Sequence, residues 1–362
     1  MRQVSRIGLG SFPTPFQRHP GLFQRHPGLG EVLDIDNLWI KRDDLTNYSW
    51  SGNKVRTIEF LLGDVVKRGS DAIIICGGPT SNFAALMTIA CAARGIAVYR
   101  SVYGTEPTKI PKALAVSIEA GATIEYTGSA DRQSMETLAN LLADRLRRQG
   151  RDPYVIPRGG ATAIGALGLA NAAVELSEQL DRAGMTDVSI VLPVGSGGTI
   201  GGLIAGLSYL IGATDLADKI KIELIGVSVS RAPDINAYND IRNLALSCME
   251  YGGYQMHANN IEKCNWRLID GRGCGFGIAS EQDMALVEEI ESFTGLQFDT
   301  TYNSKALSWL RNSNSLFSLP VVYWHTGGAL GVEDRISARR LSAEDYASQM
   351  DRSLLVSVPL LV

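Results

Sequence analysis

The sequence repeatedly alternates a short run of apolar, often β-branched residues, a glycine-containing turn and a helical stretch. This alternation is typical of α/β proteins with parallel strands. Most of the runs are continuously apolar, as strands covered on both faces are. Eight runs are predicted as strands: Leu38–Lys41, Ala72–Cys76, Ala97–Arg100, Thr123–Tyr126, Tyr154–Pro157, Val188–Val194, Lys221–Ser228 and Leu319–Trp324.

Helical periodicity fills the segments between these strands. In the first segment, apolar residues recur every three or four positions from Val55 to Val65 and predict one buried stripe. No proline-rich linker divides the chain, so we expect two interleaved domains, a small one over 56–164 and a large one over 1–55 plus 165–362. Seven helices are predicted: Val55–Lys67, Asn82–Arg94, Lys109–Ala120, Ser134–Arg148, Ala166–Ala183, Ile200–Ile211 and Glu281–Thr294.

The charge and residue-type balance excludes several classes of function. The chain has 38 acidic and 34 basic residues, a net charge of −4, and no long run of either sign. We therefore expect no nucleic-acid or membrane partner. No apolar stretch reaches the ~18 residues of a membrane span, and the first residues form no apolar signal segment. The five cysteines form no Cys-x-x-Cys pair and the four histidines form no cluster, which predicts a cytoplasmic protein with reduced thiols and no metal site.

A seven-residue segment is duplicated in tandem near the N-terminus. Phe16–Leu22 is followed immediately by an identical copy, Phe23–Leu29. Seven residues are too few for a solenoid repeat, and the Pro-Gly pairs indicate turns. We interpret the segment as a duplicated surface loop, with a functional role for His19 or His26 as the alternative.

A lysine stands at the start of a predicted helix after the segment Ser51-Gly52-Asn53. Lys54 is poorly placed there, because a helix N-terminus carries partial positive charge and favours anions. One explanation is that the helix end and neighbouring groups lower the pKa of the amine and make it a nucleophile for an aldehyde. The alternative is an exposed lysine that tolerates a small dipole cost.

A glycine-rich turn, Gly195-Ser196-Gly197-Gly198-Thr199, lies between an apolar strand and a helix. Backbone N–H groups of such a turn bind phosphate, and the Ser196 and Thr199 hydroxyls are additional donors. The dinucleotide fingerprint fails at its third glycine, which is Ile200 here, and no acidic residue follows at the ribose distance. The pattern therefore favours a phosphate site without a dinucleotide over a merely tight turn.

Other strand-to-helix turns carry polar side chains. Ser81 and Asn82 follow Gly77-Gly78 and either cap the next helix or line a pocket at the carboxyl ends of the strands. Three later segments are candidates to close the same pocket: Gly275-Phe276-Gly277, Thr301–Lys305 and His325–Gly328.

Taken together, these motifs resemble pyridoxal-phosphate enzymes of the tryptophan-synthase-β fold (fold type II), specifically the branch of D-cysteine desulfhydrase and 1-aminocyclopropane-1-carboxylate deaminase. The resemblance extends from about Pro13 to Gly331 and leaves the chain after about Ile336 without a role. It implies two three-layer αβα domains with mostly parallel sheets, a pyridoxal 5′-phosphate cofactor and a homodimer. The motifs that carry it are Arg42-Asp43-Asp44, Ser51–Arg56, Gly77-Gly78 with Ser81-Asn82, Gly195–Thr199, Tyr302 and His325–Gly328.

The resemblance also implies a role for each matching residue. Lys54, beside Asn53, would hold the cofactor as a Schiff base and then shuttle the α-proton. Asn82 would bind the cofactor's 3-hydroxyl, the turn of Gly195, Ser196, Gly197, Gly198 and Thr199 its phosphate, and Thr326 or Asn303 its pyridine nitrogen. Ser81 would meet the substrate carboxylate or assist proton transfer, and Tyr302 would face the substrate, next to Thr80, Phe83 and Phe276.

Several positions depart from the pattern of the named enzymes. Thr80 and Phe83 replace polar residues around Ser81-Asn82, Phe276 replaces a tyrosine, and Asn303 replaces the deaminase's glutamate. A neutral amide cannot hold a proton on the pyridine nitrogen by charge, so a cyclopropane substrate is disfavoured.

We therefore expect a lyase that converts a small β-substituted amino acid to a 2-keto acid and ammonia. Four alternatives stay open: β- or γ-replacement, cyclopropane-carboxylate deamination, a non-catalytic cofactor-binding protein and a nucleotide-binding oxidoreductase.

Overall fold

The computed structural model describes residues 4–18, 27–48, 50, 52–214 and 220–336. His19 and His26, and with them most of the predicted duplicated loop, lie outside the described residues, as does the chain after Ile336. The described chain forms two separate β-sheets with helices packed on them.

The larger sheet has six strands in the order β1-β2-β10-β7-β8-β9. All neighbouring strands pair in parallel except β1 and β2, which are antiparallel. Its strands are β1 (Phe16–Gln17), β2 (Leu38–Arg42), β7 (Asp187–Val194), β8 (Lys221–Ser228), β9 (Asn265–Asp270) and β10 (Val321–His325).

The smaller sheet has four parallel strands in the order β5-β4-β3-β6. Its strands are β3 (Ala72–Cys76), β4 (Ala97–Val102), β5 (Thr123–Tyr126) and β6 (Pro153–Ile156). Every residue of β3 is buried, because helices cover both faces of the sheet. The expected α/β class with two mostly parallel sheets is confirmed.

Eleven α-helices are described. They are α1 (Leu29–Leu33), α2 (Lys54–Arg68), α3 (Asn82–Ala92), α4 (Lys112–Glu119), α5 (Ser134–Arg148), α6 (Ala163–Arg182), α7 (Gly198–Ala213), α8 (Ile235–Gly252), α9 (Glu281–Thr294), α10 (Asn303–Asn312) and α11 (Ala329–Ile336). None of the described helices is both long and apolar enough to cross a membrane.

The predicted strands and helices are found within a few residues of their expected ends. The start of α4 differs from the prediction because Pro111 occupies its N-cap in an extended conformation, which moves the helix start from Lys109 to Lys112. The predicted domain boundaries at 55/56 and 164/165 fall inside α2 and α6, and the division into domains stays a prediction.

Glycines bring α2, α6 and α7 into close contact. A Cβ at Gly168 of α6 would lie 1.8 Å from the Arg56 carbonyl oxygen of α2. Cβ atoms at Gly202 and Gly206 of α7 would lie 2.4 Å from the carbonyl oxygens of Ala166 and Ala170 of α6. Side chains at these positions would push the helices apart. The glycines therefore permit the close packing of α2, α6 and α7 that positions the start of α2.

A buried ionic network fixes the other side of α2. Arg56 donates to both carboxylate oxygens of Asp43 at 2.8 and 2.9 Å and to Glu175 of α6 at 2.9 Å. Asp43 is fully buried and also accepts a hydrogen bond from the Trp324 indole at 2.8 Å. Burial is the largest single effect and would raise the pKa of Asp43, but the charge and hydrogen bonds of Arg56, together with Lys41 and Thr14, outweigh it and the net shift is downward. The network thus joins α2, α6, β10 and the turn that follows β2, close to Lys54.

Candidate active site

A cavity of about 400 Å³ lies between the two sheets. Residues that directly follow strand ends line it on both sides: Gly195 and Thr326 after β7 and β10, and Gly77, Tyr103 and Pro157 after β3, β4 and β6. Parallel α/β sheets bind ligands at this carboxyl edge. The cavity is therefore the candidate active site.

Lys54 is the first residue of α2, is half-buried and lines the cavity. Burial lowers the pKa of its amine to about 8, which is the expected direction, although the cause is burial and not the helix end or neighbouring groups. Gly52 makes this placement possible, because it has φ +124° and a Cβ there would lie 2.3 Å from the Thr326 carbonyl oxygen.

Asn53 connects the lysine turn to the glycine-rich turn. Its backbone N–H donates to the Thr326 carbonyl oxygen at 3.1 Å, and its Nδ2 donates to Thr199 Oγ1 at 2.9 Å. The side chain is only 2% exposed. Asn53 thus holds the Lys54 backbone at a fixed distance from the start of α7.

The N-terminus of α7 opens into the cavity. Gly197 is the N-cap residue with φ +89°, and no side chain caps the helix. The first N–H groups of an α-helix have no intrahelical acceptor, and Gly195, Ser196, Gly197, Gly198 and Thr199 all line the cavity. These free donors and the helix dipole are the features with which helix N-termini bind anions.

The N-terminus of α3 lies on the small-sheet side. Ser81 caps the helix by accepting a hydrogen bond from the Ala84 N–H at 3.2 Å, and it lines the cavity with Thr80 and Asn82. Both sequence interpretations of Ser81 therefore hold together. Phe83 borders the cavity, but its ring is 2% exposed and belongs to the main hydrophobic core, which weakens its predicted role in substrate binding.

Arg100 was not predicted as a site residue, but it holds the turn before Ser81. Arg100 is fully buried and donates to the carbonyl oxygens of Gly77 at 3.1 Å and Gly78 at 2.9 Å, and to Ser117 Oγ at 2.7 Å. Burial lowers the pKa of its guanidinium to about 10. The Gly77 carbonyl and the Gly78 N–H belong to one planar peptide and point in opposite directions. Because the carbonyl points to Arg100, the Gly78 N–H points away from it.

Three side chains, from both sides of the cavity, stack against one another. The Phe276 and Tyr302 rings meet edge to face, with 5.9 Å between their centroids, and the Arg132 guanidinium lies 4.1 Å from the Phe276 centroid. Burial and the Asp299 charge raise the pKa of Tyr302 to about 12, against the opposing effect of Arg132. The Tyr302 phenol is therefore protonated at neutral pH.

The Asn303 amide contacts Thr326 and is hydrogen-bonded to the Asp299 carboxyl. Asn303 is fully buried and does not line the cavity; its amide donates to the Gly327 carbonyl oxygen at 2.8 Å and to Thr326 Oγ1 at 3.2 Å. It also donates to Asp299, which borders the cavity and accepts the Tyr302 N–H at 2.7 Å. Burial raises the pKa of Asp299. Of the two residues expected at the pyridine nitrogen, only Thr326 borders the cavity.

The structure thus brings every predicted site residue except Asn303 to one cavity. Arg132 and Asp299 border it as well but were not predicted. Asp299 had a local signal, since an aspartate three residues before a helix N-cap can accept the free N–H groups of the turn. Arg132 had none, because it lies in a polar turn without periodicity.

Comparison with known proteins gives a consistent assignment. The family described as pyridoxal-phosphate dependent enzyme matches residues 7–316. A D-cysteine desulfhydrase of Klebsiella pneumoniae is 32% identical over 341 residues, covering 91% of this chain and 95% of the relative. A putative 1-aminocyclopropane-1-carboxylate deaminase of Thermotoga maritima is 30% identical over 340 residues, covering 90% and 97%. The crystal structure of an ACC deaminase homologue superposes with a TM-score of 0.77 at 27% identity, covering 93% and 96%.

Proposed function

The chain belongs to the family of pyridoxal-phosphate-dependent enzymes, and on that premise we propose that it is a lyase acting on a small β-substituted amino acid. The products are the β-substituent, a 2-keto acid and ammonia. One observation carries the proposal: an amine whose pKa is lowered to about 8 and an open helix N-terminus face the same cavity, joined through Asn53.

The cavity fits the cofactor at both ends. A lysine amine that is partly neutral near pH 7 can bond an aldehyde, and the N-terminus of α7 presents free N–H donors to a phosphate. Glycine is needed where the phosphate turn approaches Tyr302, because a Cβ at Gly195 would lie 2.9 Å from that ring. In this proposal Asn82 binds the 3-hydroxyl and Thr326 the pyridine nitrogen.

Three side chains act on the substrate in this proposal. Ser81 and the N-terminus of α3 bind its carboxylate, and the Lys54 amine accepts the α-proton. Bound pyridoxal phosphate supplies the sink for the electron pair left at Cα. The bond from Cβ to the substituent then breaks with its electron pair leaving on the substituent, which the protonated Tyr302 phenol supplies with a proton. Addition of one water releases the keto acid and ammonia.

Keto-acid release from β-chloroalanine tests the proposal. We expect wild-type protein to bind the cofactor with a visible absorption band and to release pyruvate. Lys54→Ala should lose both, whereas Lys67→Ala, an exposed lysine of the same helix, should keep both. Turnover by Lys54→Ala, or none by cofactor-loaded wild type with any β-substituted amino acid, would refute the proposed function.

Deamination of a cyclopropane amino acid is the second candidate. The Thermotoga relative and the structural neighbour carry that name, and the Asp299 carboxyl lies one hydrogen bond behind the Asn303 amide that contacts Thr326. Ammonia release from 1-aminocyclopropane-1-carboxylate, compared with β-chloroalanine, distinguishes the two. Added thiols that lower pyruvate yield would instead indicate β-replacement.

We further propose that the enzyme is cytoplasmic, that each chain consists of the two interleaved domains, and that two chains form a homodimer. The resemblance of the site motifs to the named enzymes supports the dimer, and the reduced cysteines support the compartment. Light scattering of the purified protein tests the dimer, and a mass near the 39.0 kDa of one chain would contradict it.

A further inference from the structure

Three arginines line the cavity, and two of them are paired with carboxylates that line it too. Arg158 Nε lies 2.6 Å from Glu136 Oε1, and Arg231 Nη1 lies 2.7 Å from Asp240 Oδ2. Within the described ranges, no carboxylate lies at ion-pairing distance from Arg132. Its Nε is buried and has no hydrogen-bond partner among those residues.

Arg132 is also held where a substrate side chain would lie. Its guanidinium stacks on Phe276, whose ring contacts Tyr302 edge to face. The Arg132 charge acts on the Tyr302 phenol, since it opposes the rise in the pKa of that group. Stacking engages the face of the guanidinium, so the Nη1 and Nη2 donors on its edge remain available to an oxyanion.

Arg132 is partly exposed, but its buried Nε donor has no acceptor among the described residues, and a buried unpaired donor is costly unless a ligand compensates it. In the proposed function the cofactor phosphate is bound by the start of α7, and the substrate carboxylate by the start of α3. The substrate's β-substituent is then the anion left for Arg132.

We propose that Arg132 is a specificity-determining residue that binds an oxyanion on the β-substituent, so that the preferred substrates are amino acids with an anionic substituent such as a phosphate ester. This inference rests on the proposed function. For O-phosphoserine the reaction would consume one water and release pyruvate, ammonia and inorganic phosphate, with the Cβ–O electron pair leaving on the phosphate oxygen.

O-phosphoserine and O-acetylserine form a matched pair of substrates, both with an ester oxygen on Cβ and only one with an anionic substituent. With each enantiomer, wild type should show the higher kcat/KM for O-phosphoserine. Arg132→Gln should lower that value ten- to a hundredfold, as expected for a lost charged hydrogen bond, and change the value for O-acetylserine less than about threefold. Arg132→Lys should recover part of the loss. Arg158→Gln, the matched paired arginine, should affect both substrates by the same factor.

A binding measurement gives a readout without turnover. Calorimetry on the cofactor-loaded protein with 2-amino-4-phosphonobutanoate, which keeps the phosphonate but has no leaving group, should show at least tenfold weaker binding to Arg132→Gln. Equal loss of kcat/KM for both serine esters in Arg132→Gln, or unchanged phosphonate binding, would overturn the inference. If wild type turned over no β-substituted amino acid while phosphonate binding still required Arg132, the proposed reaction would fail and the anion site would stand.

Discussion

The lowered pKa of Lys54 leads to a quantitative prediction for the cofactor-free protein. Burial shifts the amine from the ordinary value of 10.5 to about 8. At pH 7 the neutral fraction is then about one in ten, against about one in three thousand for an unperturbed lysine. Lys54 should therefore hold about 300 times more neutral amine than an ordinary lysine at that pH.

Competitive labelling with a trace amount of an amine-acylating reagent measures this directly. Peptide mass spectrometry follows the labelling rate of Lys54 from pH 6 to pH 11, with exposed Lys67 of the same helix as the internal reference. The Lys54 rate should rise tenfold per pH unit and level off above about pH 8, well before the rate of an ordinary lysine does. The pH at which the labelling rate is half-maximal identifies the pKa, because limited access of the reagent to Lys54 lowers the plateau rate but does not change that pH.

Two outcomes decide the matter. A Lys54 profile that levels off only near pH 10, together with Lys67, would refute the argument that burial controls this amine. A midpoint near pH 8 that persists in Ser81→Ala, which leaves the burial of Lys54 in place, would support it. The rate of cofactor incorporation into the cofactor-free protein should follow the same midpoint.

Three further predictions concern the scaffold. Asp43→Asn should lower the free energy of unfolding by up to about 3–5 kcal/mol, because it removes one of the two carboxylates that pair with the buried Arg56 charge and leaves only Glu175. Since the folded-state pKa of Asp43 is lowered, urea titrations should show wild type losing that advantage as the pH falls below about 4. Gly168→Ala should cost more than about 4 kcal/mol by the clash with α2, against about 1 kcal/mol for Gly150→Ala, where φ is +80° and the space is open. Arg100→Met should raise KM about tenfold with little change in kcat or cofactor affinity, and a loss of cofactor binding would instead indicate general disruption.

Local patterns were sufficient to predict most of the fold. The largely apolar runs identified every central strand, because burial on both faces favours apolar residues at most positions. The strand β9 was missed because it is an edge strand whose apolar residues are interrupted by Asn265, Arg267 and Asp270, and only Trp266 is buried. Helix α8 was missed although its sequence carries a signal, since Asp234 caps it and its buried residues recur every three or four positions from Ala237.

The site could be predicted only where one short segment carries its own signal. Lys54 and the Gly195–Thr199 turn each stand between a strand and a helix, so local sequence placed them. The positions of Arg132 and Arg100 depend on how segments distant in sequence pack together. In the sequence, Arg100 is indistinguishable from an ordinary strand residue. Only the folded structure brings it to the carbonyls of Gly77 and Gly78.

The hydrogen bond from Asn53 to Thr199 has a consequence for which molecules the cavity accepts. It joins the residue beside Lys54 to the turn at the start of α7, while the Gly52–Gly327 bridge holds the lysine turn from the other side. The distance between the lysine and the proposed anion site is therefore fixed, so both can bind one molecule only if its two groups are separated by that distance. An aldehyde with its phosphate at the matching span satisfies both, whereas pyridoxal without phosphate satisfies only one.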